Sequence, residues 1–321
     1  MSFELILPFL RPIEPLLLDE SISEIMGNPD ASWWYERDGR ICREETISFA
    51  AGKLRTGLEV IANQLGKRLD EDNPILHAQL PDGSRLAAVI PPVVRHTPAL
   101  VIRKFTSRHY TVDDLITRGT LTRTLADFLA EQIRSGKTLL ISGGTGTGKT
   151  TLLRILADFI PEQERLVVIE DTSELQIQKP NILAVECQTD TFKANITFDD
   201  LLKSALRWRP DRIILGEVRG IEERTLLDSF NTGHAGSLAT IHANSAEKAL
   251  HRFANLVMRN HAQTTFSDTE AEIAEAVDFV VHIERQPGRR IVREVLALRG
   301  YDRDAKRFLI EPAFEVQRVA A

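Results

Sequence analysis

GGTGTGKTT, residues 143–151, decides how the rest of the chain is read. Gly143 and Gly148 bracket four residues and are followed by Lys149 and Thr150, which satisfies G-x-x-x-x-G-K-[ST] in full. The residues before it, Thr138 to Ser142 (TLLIS), predict a short buried strand, and those after it, Leu152 to Phe159 (LLRILADF), predict a helix. A phosphate-binding loop needs that setting. Glycines permit positive φ, so several backbone N–H groups can turn toward one anion at the positive end of a helix. Lys149 then neutralises β- and γ-phosphates, and the Thr150 hydroxyl ligates Mg²⁺. Gly143, Gly144, Thr145, Gly146, Thr147, Gly148, Lys149, Thr150 and Thr151 are therefore the candidate nucleotide-binding residues. No N-K-x-D guanine-reading motif occurs, which favours ATP. The competing structural account, a glycine-rich turn without a ligand, leaves Lys149 and Thr150 unexplained.

Toward the C-terminus, strands are expected at Arg165–Ile169, Arg212–Leu215 and Ser237–Thr240, separated by helical or irregular stretches. Alternating strands and helices indicate an α/β domain with a mostly parallel sheet, which binds nucleotides at the carboxyl ends of its strands. Each of these strands leads to a polar residue of catalytic type. Glu170 and Asp171 follow the first, and Glu170 is a candidate for holding Mg²⁺ or orienting the attacking water; Asp171 serves equally well as a turn cap. Glu217 follows the second, after an apolar run, where a carboxylate polarises water for in-line attack on a γ-phosphate. A purely structural Glu there would be costly to bury unless paired. Beyond the third lies His242, a candidate γ-phosphate contact, with His234 framed by Gly233 and Gly236 before it. An arginine near the γ-phosphate is also expected. The residues themselves do not choose among Arg85, Arg103, Arg207, Arg209 and Arg219.

Toward the N-terminus, MSFELILPFLRPIEPLLL is apolar but broken by Glu4, Pro8, Arg11, Pro12, Glu14 and Pro15, so neither a signal peptide nor a membrane span is expected. It predicts a packed strand, with a partner-binding or surface-adsorbing segment as the alternative. Residues 19–48 predict a helix and then a hairpin turning at Asp38-Gly39. Leu54, Leu58, Ile61, Leu65 and Leu69 mark an amphipathic helix. Ile75–Leu80 and Arg85–Ile90 flank Pro81-Asp82-Gly83-Ser84 as a second hairpin, and Ala99–Phe105 adds a strand. Thr111 with Asp114 forms a capping box, and Leu121, Leu125, Phe128, Leu129 and Ile133 define the helix that leads into the loop strand. The expected division is an N-terminal α+β domain over 1–110, a linker over 111–120 and a nucleotide-binding domain over 121–321.

The bulk numbers constrain the class. With 321 residues, 43% hydrophobic and 27% charged, the chain is an ordinary globular protein large enough for two cores. A net charge of −6 argues against direct nucleic-acid binding. Cys42 and Cys187 form no C-x-x-C pair, so no disulfide framework or zinc site is expected, and a reducing cytoplasm fits.

GGTGTGKTT (143–151), VVIEDTSEL (167–175), LRWRPDRIILGEVRG (206–220) and TGHAGSLATIHANS (232–245) resemble, in that order, the Walker A, Asp, Walker B and His boxes of the VirB11-like and TrbB-like traffic ATPases of the type II/IV secretion superfamily. Similarity extends from about residue 80 to 300. The resemblance implies a RecA-like P-loop NTPase domain preceded by a smaller α+β domain, and a homohexameric ring whose domains move as ATP is hydrolysed. It also implies that Arg85 and Arg103 reach the γ-phosphate, that Glu170 and Glu217 serve the magnesium and the attacking water, and that His242 contacts the γ-phosphate. The expected function is Mg²⁺-dependent ATP hydrolysis powering type IV secretion, conjugal transfer or pilus assembly. The expected location is the bacterial cytoplasm, peripheral to the inner membrane, in contact with inner-membrane components of the apparatus. Two alternatives stand beside it: a nucleic-acid-translocating ring ATPase, for which Arg285, Arg289, Arg290 and Arg293 are the one dense basic cluster, and a nucleotide-gated scaffold with little turnover. Gln178 to Asp199, with Lys193 and Asn195, carries no assignable pattern.

Overall fold

The computed structural model describes residues 3–37, 39–50, 52–105, 110–188, 195–220, 222–260, 264–286 and 288–314. The chain divides into two compact units, Met1–Arg108 and His109–Ala321.

The first unit opens on helical turns rather than the expected strand. Two 3₁₀ segments, Phe3–Leu5 and Leu7–Ile13, run into helix α1 (Glu14–Leu18), and Ile6, Leu10 and Ile13 are fully buried. The prolines explain the correction. Pro8 and Pro15 occupy first-turn positions, where a fixed φ and a missing N–H cost nothing, whereas three prolines would strip donors from a strand. Residues 19–48 hold a second correction, because the predicted helix is strand β1 (Ile22–Gly27), followed by β2 (Trp33–Arg37) and β3 (Arg40–Glu44). A register shift between Ile22 and Glu24 places Ile22 and Ile25 on the same buried side, which mimics helical spacing. The expected β2–β3 hairpin forms, although Asp38 of its turn lies outside the described residues. Helix α2 (Lys53–Gln64) and strands β4 (Ile75–Gln79), β5 (Arg85–Val89) and β6 (Ala99–Arg103) complete the sheet, ordered β3-β2-β1-β6-β5-β4. Ile25, Leu86 and Ile102 pack with Leu10, Leu58 and Ile61 in one core. The residues alternating with them stand on the other face. There, Glu24, Arg103 and Arg85 are register partners across β1, β6 and β5.

The second unit begins with α3 (Val112–Thr117), and the Thr111–Asp114 capping box is made in both directions. Residues 111–120 thus carry a helix whose Leu115 packs in this unit's core. Then follow α4 (Arg123–Arg134), β7 (Leu139–Gly143), α5 (Lys149–Ala157), β8 (Leu166–Glu170), β9 (Ile182–Glu186), α6 (Phe198–Ala205), β10 (Arg212–Val218), α7 (Glu223–Asn231), β11 (Leu238–His242), α8 (Ala246–Asn260), α9 (Phe266–Ala276), β12 (Phe279–Gln286), β13 (Arg289–Asp302) and β14 (Arg307–Phe314). Among the described residues the sheet order is β14-β13-β12-β7-β11-β10-β8-β9. β12, β7, β11, β10, β8 and β9 are parallel to one another, β13 pairs antiparallel with β12, and β14 pairs antiparallel with β13.

Helices cover both faces, so β7 and β8 are buried along their whole length, and two apolar clusters form, one on each side. Edge strand β9 fills part of the stretch that the sequence leaves without an element. Lys193 lies outside the described residues, and Asn195 precedes Ile196, which bridges to Gln188. Strands β8, β10 and β11 each run on through the polar residue expected just beyond them. Glu170, Glu217 and His242 are therefore held by sheet pairing rather than by loops. Behind the sheet, Arg212 pairs with Glu164 and donates to the carbonyls of Ile133 (2.6 Å) and Gly236 (3.2 Å). These bonds tie α4 and the turn before β11 to the start of β10.

Candidate functional site

The loop between β7 and α5 is built for close approach. A Cβ at Gly143 would lie 2.4 Å from the Ile283 carbonyl oxygen and 2.7 Å from Thr147 Oγ1, so no other residue fits between β7 and β12. Gly146 (φ 69°) and Gly148 (φ 94°) take the left-handed conformation that the loop's two reversals require. Gly148 is also the N-cap of α5 and offers no side-chain acceptor, so the first-turn amides of that helix are presented to an anion rather than capped by the chain. Thr147 Oγ1 and Lys149 Nζ both donate to the Gly144 carbonyl, at 3.0 and 2.9 Å. Beneath the loop, Ser142 Oγ and His282 Nδ1 bond at 2.8 Å, and burial lowers the His282 pKa, so that imidazole is neutral.

Beside the loop the candidate residues meet. The Lys149 ammonium, itself buried, lies 3.3 Å from His242 Nδ1, and His242 Nε2 lies 2.8 Å from Glu217 Oε1. A carboxylate can only accept, so His242 carries a proton on Nε2 and donates it to Glu217, while the Lys149 ammonium, 3.3 Å from Nδ1 and 3.5 Å from Nε2, lies nearest the ring nitrogen that is free to accept. Burial first, and then the Lys149 charge, lower the His242 pKa, which fits a neutral imidazole at pH 7. The other Glu217 oxygen accepts from Arg219 Nη2 at 2.5 Å, and Arg219 Nη1 reaches Asp171 Oδ2 at 3.3 Å. Burial alone would raise the Glu217 carboxyl, but the Arg219 hydrogen bond and charge, with Lys149, outweigh it and hold the group ionised below its ordinary value. One chain of contacts thus runs Lys149, His242, Glu217, Arg219, Asp171.

Glu170 stands apart from that chain. Its Oε1 accepts from the backbone amides of Glu174 and Leu175, each at 2.9 Å, and burial raises its pKa to about 7 despite those bonds. Its observed work is to fold the turn after β8. His234 is likewise local, donating to the Ser229 carbonyl (3.2 Å) at the end of α7. Arg85 and Arg103 are cross-strand partners in the first unit. Arg219 and Asp171 are the residues that sequence reasoning left unassigned. The signal was available: Glu217 and Arg219 are two apart along one strand end and so share a side.

The oxygens at this edge suit a hard cation, with the Thr150 hydroxyl opening α5 and the Glu217 carboxylate on β10, whereas Glu170 is committed to amides. No cluster of three or more metal-binding side chains exists among the described residues, as is normal for Mg²⁺, which takes much of its shell from phosphates and water.

Comparison with known proteins gives consistent results. A family model described as "Type II/IV secretion system protein" matches residues 10–299. The conjugal transfer protein TrbB of Rhizobium radiobacter is 38% identical over 288 residues, covering 88% of this chain and 85% of that one. The type IV secretion system protein VirB11 of Bartonella henselae is 31% identical over 328 residues, covering 91% and 92%. Among solved structures, the VirB11 ATPase of the Brucella suis type IV secretion system, in complex with sulphate, aligns with a TM-score of 0.50 and 27% identity, covering 90% of this chain and 93% of that one.

Proposed function

The chain belongs to the type II/IV secretion system protein family, and from that membership we propose how its site works and what it serves. It is a P-loop ATPase of the secretion and conjugation class, with a RecA-like domain preceded by a smaller α+β domain. The observation that carries the mechanism is the continuous contact from Lys149 through His242 to Glu217.

On this proposal the amides of Gly143 to Thr151 hold the phosphate chain, and Lys149 neutralises its β- and γ-phosphates. Ionised Glu217 accepts a hydrogen bond from the attacking water and orients it for in-line displacement. Neutral His242, between the two, senses whether Lys149 is engaged by phosphate and fixes the Glu217 carboxylate accordingly. Thr150 and Glu217 would hold Mg²⁺, directly or through water, with Glu170 further out along the same edge; the ion supplies charge neutralisation at the phosphates when bound. Arg85 and Arg103 of the 1–110 domain supply guanidinium groups to the γ-phosphate, as the family resemblance implies, while residues 121–321 hold the nucleotide.

The assembled form we propose is a homohexameric ring in the bacterial cytoplasm. It docks peripherally on inner-membrane components of a secretion, conjugation or pilus apparatus. Consistent with docking, no helix among the described residues is long and apolar enough to cross a membrane. Replacing Lys149 with Ala tests the core of the proposal. ATP turnover is expected to fall by roughly 10²-fold or more with the thermal melt unchanged; phosphate release at the wild-type rate would reject it.

A further inference from the structure

Arg285 and Arg290, which composition alone groups with Arg289 and Arg293 as a basic cluster, are cross-strand partners at the end of the β12–β13 hairpin. Both lie against the phosphate loop. Arg290 Nε donates to the Gly146 carbonyl at 3.3 Å. Its Cδ lies 3.2 Å from where a Cβ at Gly148 would stand, and Arg285 Nη1 lies 3.5 Å from the same position at Gly146. Strand order says which part of a ligand they face. Glu217 and His242 lie on β10 and β11, on one side of loop strand β7, whereas β12 is its neighbour on the other side. A polyphosphate whose terminal group points toward Glu217 and His242 leaves its opposite end toward β12.

We infer that Arg285 and Arg290 form the nucleoside-side wall of the site and bind the base–ribose end of the nucleotide. The inference rests on the ATPase assignment and deepens it. Guanidinium chemistry suits that target, since its N–H groups donate to ribose hydroxyls and its face stacks on a purine. Arg289 differs, because its Nε donates to Gln286 Oε1 at 3.0 Å and so closes the hairpin on itself. Two of the four arginines are thus directed at the loop.

Calorimetric titration of the full chain with ATP, ADP and inorganic tripolyphosphate, each with Mg²⁺, separates the possibilities. Arg290→Ala is expected to weaken ATP and ADP by the same factor, roughly tenfold or more for the loss of a charge-assisted contact, and the double variant with Arg285→Ala by more. Tripolyphosphate, which lacks the nucleoside, should bind as in the wild type, and that binding also shows that the loop is folded. Unchanged ATP and ADP affinities, as a nucleic-acid role for the pair would give, overturn the inference. An equal loss for tripolyphosphate also overturns it, because the arginines then merely prop the loop. Should Arg290→Ala lose all binding by misfolding, Arg290→Lys decides by the same comparison. Lys149→Ala serves as reference, weakening all three ligands. A wild-type protein that binds none of them removes the ATPase assignment itself.

Discussion

Glu223 illustrates how burial sets the chemistry of a side chain. It opens α7 fully buried, neither carboxyl oxygen has a hydrogen-bond partner among the described residues, and burial pushes its pKa up to about 7 from an ordinary value of 4.5. Between those two values the folded state binds more protons than the unfolded chain, so stability falls as pH rises from about 4.5 to about 7 and stays low above. Glu223→Gln removes the titration and keeps the shape. Thermal melts should find the variant more stable than wild type by about 1–3 kcal/mol at pH 8, with the difference gone at pH 4. A constant difference across that range would assign the effect to packing. Glu170 is raised to the same value by the same cause, yet it accepts two amide bonds that Glu223 lacks. Glu217 moves the opposite way because Arg219 and Lys149 stand beside it. Three glutamates of identical covalent structure thus divide into two that titrate near neutrality and one that stays charged.

At the scale of elements, the β1–β6–β5 row deserves a test of its own, because cross-strand pairing fixes Arg103 and Arg85 side by side with Glu24 next in line. Arg103→Ala, assayed for turnover and for nucleotide binding, should lower the rate constant by roughly 10³-fold while changing affinity far less, as a group acting in the transition state requires. An equal effect on both would make Arg103 a binding residue. The glycine-rich loop, the Thr111–Asp114 capping box and the strands leading to Glu170, Glu217 and His242 were legible in the sequence because each depends on neighbours a few residues away. Features set by distant partners were not. The spacing of Ile22 and Ile25 imitates a helix because a bulge in the ladder displaces the alternation. Edge strand β9 is only half-buried and so lacks a strong apolar signature. The N-terminal prolines fit a strand break or a helical first turn equally well until the core they cover is known. The Arg219–Asp171 contact and those of Arg285 and Arg290 with the loop join positions that only the folded sheet brings together.

For the molecule as a whole, each compact unit has an apolar core of its own, with Leu58 and Ile102 in the first and Leu153 and Val281 in the second. Native mass measurement with and without ATP and Mg²⁺ checks the assembly: a sixfold species is expected with nucleotide, and a single protomer under both conditions would reject the ring. The contacts of Lys149 also bear on how such an assembly responds to supply. Its ammonium already bonds the Gly144 carbonyl and lies within reach of His242, so a phosphate does not meet a bare cation. In the proposed site those two groups act as competitors built into the chain, and the measured dissociation constant is the nucleotide's own affinity discounted by theirs. Set at the right strength, such internal competition tunes occupancy to the prevailing ATP level and leaves spent nucleotide easy to displace.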